Sequence, residues 1–171
     1  MRRLESALFS GTYAVRELTA ADADAVFALY RTNPQYFAYC GEPAQPETVE
    51  RDMTLRPPGT GPEQKYFLGY YENGALLAVM DITDGYPDAD TAYIGLFMVD
   101  GARSGEGLGT RLIEELCAYL GGAGVRCLRL AYETDNPQAA HFWRKNGFAP
   151  LRRVSHPYGE MTVARRMLSQ G

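Results

Sequence analysis

Apolar and polar residues alternate over 12–18 (TYAVREL), the period of a strand with one buried face. Thr19 stands three residues ahead of Asp22, an acidic form of the capping box, and opens a helix through Tyr30. Asn33-Pro34 stops that helix, because the residue before a proline is pushed out of helical space. A second, short helix is expected over 46–55, starting at Pro46. The stretch 56–62 (RPPGTGP) is the most loop-like in the chain and a candidate mobile flap. From residue 65 the period shortens again. The run 65–83 reads as two strands joined at Asn73-Gly74, a pair suited to the positive φ angles of a tight hairpin. After the loop Asp84-Gly85-Tyr86-Pro87 comes an aromatic and β-branched strand over 91–99 (TAYIGLFMV).

A helical stripe then follows at Leu108, Leu112, Ile113, Leu116 and Leu120, with Gly121-Gly122 expected to end the helix. A strand over 126–134, a helix over 137–146 opened by Pro137 and closed by Gly147, and a hairpin of 148–155 with 160–168 complete the chain. The order β-α-α-β-β-β-α-β-α-β-β describes an α/β fold with a mixed seven-stranded sheet and four helices. One domain, 1–171, with its core over about 12–168, accommodates all of it.

Composition narrows the picture without changing it. A chain of 171 residues, 46% apolar and 22% charged, is of ordinary globular type. A net charge of −4 argues against a general nucleic-acid binder. Cys40, Cys117 and Cys127 are an odd, widely spaced set, so neither a disulfide framework nor a zinc cage is expected. A reducing, cytoplasmic setting fits them. His141 and His156 have no carboxylates at ligand spacing, and no metal site is expected. No apolar run approaches the ~18 residues of a membrane span, nor is there a hydrophobic signal segment at the N-terminus.

The chemistry concentrates in Arg103-Ser104-Gly105-Glu106-Gly107-Leu108-Gly109-Thr110, between a strand and a helix. A helix N-terminus offers unpaired N–H groups and a positive dipole end, and glycines let phosphate approach the backbone. A Walker loop would need a lysine that this segment lacks. A Rossmann fingerprint would need a glycine at position 110 and an acid at the end of the next strand, which instead carries Arg126 and Arg129. The G-x-G-x-G spacing here, followed by Asn136, Ala139, Gly147 and Phe148 as N-x-x-A…G-F, resembles two motifs of the GNAT acetyltransferase superfamily. The resemblance in element order runs from Tyr13 to Leu168.

That resemblance implies a GNAT-like fold, with a β-bulge and a V-shaped splay between the fourth and fifth strands. It implies acetyl-coenzyme A (acetyl-CoA) as cosubstrate, bound in the splay. The backbone of Phe97, Met98 and Val99 would pair with its pantetheine arm, and an N–H near Met98 would polarise the thioester carbonyl. The N–H groups of Gly105, Glu106, Gly107, Leu108, Gly109 and Thr110 would hold the pyrophosphate, and Asn136 would bond the arm. The implied reaction is N-acetyl transfer to a primary amine by direct attack in a ternary complex. The acceptor is a small-molecule amine or a protein N-terminus or lysine, with no nucleic-acid or membrane partner; a homodimer is an open alternative.

Several positions depart from the family pattern. Ser104 replaces the usual glutamine or arginine, with Arg103 the nearest charge. Trp143 stands where many members have a tyrosine acid, and reads either as a wall of the cofactor channel or as a residue packed on the sheet. The two familiar base positions hold Ala131 and Tyr93. Glu133 and Tyr93 are the candidate catalytic substitutes, Tyr93 being expected on one strand face with Gly95 and Phe97. Asp81 and Asp84 are candidates for binding a cationic substrate, and the aromatic cluster Tyr30, Tyr36, Phe37 and Tyr39 reads as core packing first, with a cation cage as the alternative. Two other classes stay open: an acyl-CoA-binding module without turnover, and a protein binding another nucleotide through the same loop.

Overall fold

The computed structural model describes residues 2–171. Seven strands form one sheet in the order β1-β2-β3-β4-β5-β7-β6. They are β1 (Ala14–Glu17), β2 (Lys65–Glu72), β3 (Ala75–Asp84), β4 (Thr91–Val99), β5 (Cys127–Glu133), β6 (Ala149–His156) and β7 (Gly159–Met167). Only β4 and β5 run parallel. The helices are α1 (Ala23–Arg31), α2 (Pro34–Cys40), α3 (Pro46–Thr54), α4 (Leu108–Gly122) and α5 (Pro137–Lys145).

Five α-helices replace the four expected. Asn33-Pro34 does end α1, but Pro34 is also the first residue of α2, where a missing N–H costs nothing and the fixed φ suits a helix. The run Tyr36, Phe37, Tyr39 therefore lies on a helix. α4 also continues through Gly121-Gly122, and the turn into the left-handed region comes at Gly124. The capping box at Thr19 and Asp22 is present, and it opens a 3-10 turn that leads into α1.

The sheet divides two cores. On one face, Leu112, Ile113, Leu116 and Leu120 of α4 pack on Leu68, Met80, Ile82, Leu128 and Leu130. On the other, Val26, Leu29, Tyr30, Phe37 and Val49 from α1–α3 pack on Phe67, Val79, Leu96 and Met98. Leu4 and Phe9, ahead of residue 12, are buried in the α4-side core. Among the described residues, no helix is long and apolar enough to cross a membrane. Cys117 and Cys127 are buried free thiols and Cys40 is exposed.

Candidate functional site

Two irregularities in β4 make the site. The parallel ladder with β5 covers only Thr91–Ile94 against Cys127–Leu130, and beyond it the two strands part. On the β3 side, Asp81 pairs with Leu96 but Ile82 pairs with Ile94, so Gly95 is an extra, bulged residue. A bulge shifts the side-chain alternation by one. Ahead of it Ala92 and Ile94 face α4; after it Leu96 and Met98 face α1–α3, while Phe97 packs beside Phe142 and Trp143 of α5. Tyr93 and Phe97 consequently lie on opposite faces, which corrects the expectation that they share one.

The splayed end opens toward the N-terminus of α4. Gly105 (φ +81°) and Gly107 (φ +77°) are in the left-handed region, which disfavours a side chain, and a Cβ at either would meet no atom within 4 Å. The Arg111 N–H donates to the Gly107 carbonyl at 3.1 Å, the first bond of the helix. The N–H groups of Leu108, Gly109 and Thr110 precede it without an intrahelical acceptor, and no side chain caps them. Gly109 serves packing as well: a Cβ there would lie 3.0 Å from the Phe142 ring. Arg103 is spent on protein carboxylates, at 3.2 Å from Glu72 and 3.0 Å from Glu106.

Asn136 caps α5, its Oδ1 accepting the Ala139 N–H at 3.1 Å. That leaves its Nδ2 with no hydrogen bond among the described residues. Trp143 is packed edge-on against Phe142 (4.9 Å) and Phe148 (5.1 Å). Its contacts are those of a residue packed on the sheet.

On the opposite face of β4 lies a cavity of about 360 Å³. Its walls are the bulge at Gly95, Tyr93, Asp81 of β3, Asp52 of α3 and Tyr36 of α2, with the 56–58 stretch of the proposed flap at its mouth. Asp52 accepts the Tyr30 hydroxyl at 2.7 Å. Asp81 Oδ1 accepts from Lys65 Nζ at 2.9 Å. Burial raises the Asp52 carboxyl and pushes Asp81 up to about 6, against the opposing pull of Lys65. Burial, then the adjacent Tyr86 phenol, raise Tyr93. Strand alternation sends Asp84 to the other face, where it is buried against Arg2 at 2.9 Å. Of the two aspartates, only Asp81 reaches the cavity.

Glu133 ends β5 and is bonded to His156 Nε2 at 3.0 Å, while His156 Nδ1 accepts the Tyr158 N–H at 3.2 Å. Glu133 does not line the cavity that holds Tyr93, although its charge acts on Tyr36 in the cavity wall. A further cavity of about 280 Å³, on the α5 side, is lined by Arg144 and by the Arg152-Arg153 pair.

The model of the Acetyltransferase (GNAT) family matches residues 23–148, about three quarters of the chain. The chain belongs to the GNAT acetyltransferase family. Mycothiol acetyltransferase of Beutenbergia cavernae is 31% identical over 124 residues, covering 71% of this chain but 41% of that protein. The chain thus spans about two fifths of that relative's length. The crystal structure of an acetyltransferase from Thermus thermophilus aligns over 98% of this chain and 100% of its own, at TM-score 0.74 and 27% identity. An N-acetyltransferase from Thermoplasma acidophilum, solved with coenzyme A, shares the fold at TM-score 0.65 and 14% identity, over 91% of this chain and 99% of its own. Acyl transfer is the chemistry of this GNAT family.

Proposed function

We propose that this chain transfers the acetyl group of acetyl-CoA to a primary amine, by direct attack within a ternary complex. The observation that carries the reading is one strand with two functions. β4 parts from β5 in front of the uncapped N-terminus of α4, and bulges at Gly95 into a cavity on its other face whose lining includes Asp52 and Asp81.

Acetyl-CoA, when bound, supplies an activated thioester. The Gly105–Thr110 backbone is suited to its pyrophosphate, since N–H groups without acceptors and open space ahead of the glycines fit an anion. The unpaired edge of β4 at Phe97–Val99 is suited to the pantetheine amides, and an N–H near Met98 to the carbonyl oxygen. Asn136 Nδ2 is free to donate to the arm. Trp143 packs against Phe97, with 6.1 Å between ring centroids, which suits it to back this strand from α5.

On the acceptor side, Asp52 and Asp81 favour a cation, and Tyr36 and Tyr93 give it aromatic walls. Holding both reactants in line is where most of the acceleration comes from. A small-molecule amine and a flexible protein N-terminus or lysine both fit this chemistry.

The test is an assay of free thiol from acetyl-CoA against spermidine, amino-acid amides and short peptides with free N-termini. The reading expects thiol release that depends on at least one amine. Coenzyme binding with no release for any amine would instead describe an acyl-CoA-binding module.

A further inference from the structure

Neither carboxylate position familiar in the family is acidic in this chain, since Ala131 and Tyr93 occupy them. A primary ammonium near pKa 10.4 cannot attack a thioester until it loses a proton. The molecule offers three candidate acceptors near the splay. Glu133 is engaged by His156, and both nitrogens of that imidazole are committed, to Glu133 and to the Tyr158 N–H. Asp52 accepts the Tyr30 hydroxyl. Each of these carboxylates leaves its second oxygen without a hydrogen bond among the described residues, and Asp81 is set apart by its place against the bulge. Its Oδ1 is fixed by Lys65, whose Nζ also donates to the Leu55 carbonyl at 2.6 Å and whose side chain is only 6% exposed. Its Oδ2 has no hydrogen bond among the described residues and lies 2.6 Å from where a Cβ on Gly95 would sit. Gly95 is the bulged residue next to Ile94, the last rung of the β4–β5 ladder, so that oxygen stands beside the backbone where the splay begins.

We propose that Asp81 is the base that accepts the proton of the acceptor ammonium, with Lys65 as the positioning residue that holds Oδ1 and leaves Oδ2 to the substrate. This rests on the amine-acetyltransferase reading above. The ammonium gives one proton to Oδ2. The freed nitrogen lone pair attacks the thioester carbonyl carbon, the C–N bond forms, and the C–S bond breaks with its electron pair passing to sulfur. The second nitrogen proton goes to the departing thiolate, and Asp81 returns its proton to water at the cavity mouth. The products are the acetamide and coenzyme A thiol.

Gly95 accounts for itself in the same terms. Any side chain there would displace the carboxylate, which a purely structural bulge does not require. The charged and titratable groups around Asp81 are Lys65 from β2, Tyr93 from β4, Tyr86 from the β3–β4 loop, Asp52 from α3, Arg56 from the segment after α3, Tyr30 from α1 and Tyr36 from α2. Burial dominates them and brings the carboxyl up to about 6, which leaves it ionised at neutral pH and well matched to proton transfer there.

The experiment compares native protein, Asp81→Asn and Lys65→Met, using the amine found by the thiol-release screen. Coenzyme binding by calorimetry and the Asp81 carboxyl titration by carbon-13 NMR are read alongside. Asp81→Asn is expected to bind acetyl-CoA as the native protein does while kcat/KM falls about 100-fold or more. The acid limb of the native kcat/KM profile is expected near pH 6 and to coincide with the NMR titration of Asp81. Lys65→Met, which removes the opposing charge, moves both to higher pH together. If Asp81→Asn does not fold, that joint displacement decides alone. Native turnover with full activity in Asp81→Asn, or an acid limb that stays put in Lys65→Met, overturns the assignment while leaving the transferase reading intact. No turnover by native protein on any amine overturns both.

Discussion

Both oxygens of Asp22 are engaged by Arg16, at 3.0 and 2.8 Å, and one also accepts the Thr19 N–H at 2.8 Å. The guanidinium first, and the Thr19 amide after it, pull this carboxyl down to about 2. A depressed carboxyl binds its proton later in the folded protein than in the unfolded one. Its stabilisation is therefore complete above the unfolded value of about 3.9 and is lost as pH falls through about 2. Urea midpoints measured from pH 5 to pH 2 are expected to fall less steeply in Asp22→Asn than in the native protein. The capping role of Asp22 was legible in the sequence because its partner is three residues away. The separation of Asp81 from Asp84 was also available there. Residues three apart on a strand face opposite ways, and that alone puts only one of them in the cavity. What the sequence could not supply is the Arg2–Asp84 pair, formed across 82 positions by segments that only the fold brings together.

Among the elements, α5 is the clearest case of a side chain with two demands on it. Asn136 spends its Oδ1 on the Ala139 N–H, and its Nδ2 remains for a ligand. Asn136→Ala is expected to cost about 1 kcal/mol in chemical denaturation, as loss of an N-cap does. It should also weaken acetyl-CoA binding, whereas Asn136→Asp keeps the cap while replacing the donor with a charged acceptor. Thermal and calorimetric measurements on the two variants separate the roles. Strands and their hairpins were readable from alternation, and β4 lies at the expected 91–99. α2 was not, because an Asn-Pro step announces the end of one helix and, equally well, the first turn of the next. The bulge itself was implied by the family resemblance but its position was not: Gly95 looks like any glycine in a strand until the register with β3 shows two residues facing one. That single extra residue reverses every side chain after it, which is why Tyr93 reaches the cavity while Phe97 supports the opposite face.

At the scale of the whole molecule, the sheet keeps two chemistries apart and lets them meet at one strand. On the proposed reading, the α4 side offers glycines and unpaired amides to an anion, and the α1–α3 side offers carboxylates and phenols to a cation. The order of elements and the two motifs made the family and the glycine-led start of α4 legible, since backbone N–H groups need only the right turn. The acceptor side depends on side chains from β2, β3, β4 and three helices, and its arrangement emerges only once these pack together.

The central claim is that the splay and the α4 N-terminus form an acetyl-CoA site, and calorimetric titration of acetyl-CoA tests it most directly. Native protein should bind with micromolar affinity, and Gly107→Asp should abolish binding. That substitution forces a side chain onto φ +77° and places a negative charge where the pyrophosphate is expected. Absence of binding by the native protein, or undiminished binding by a folded Gly107→Asp, would contradict the account.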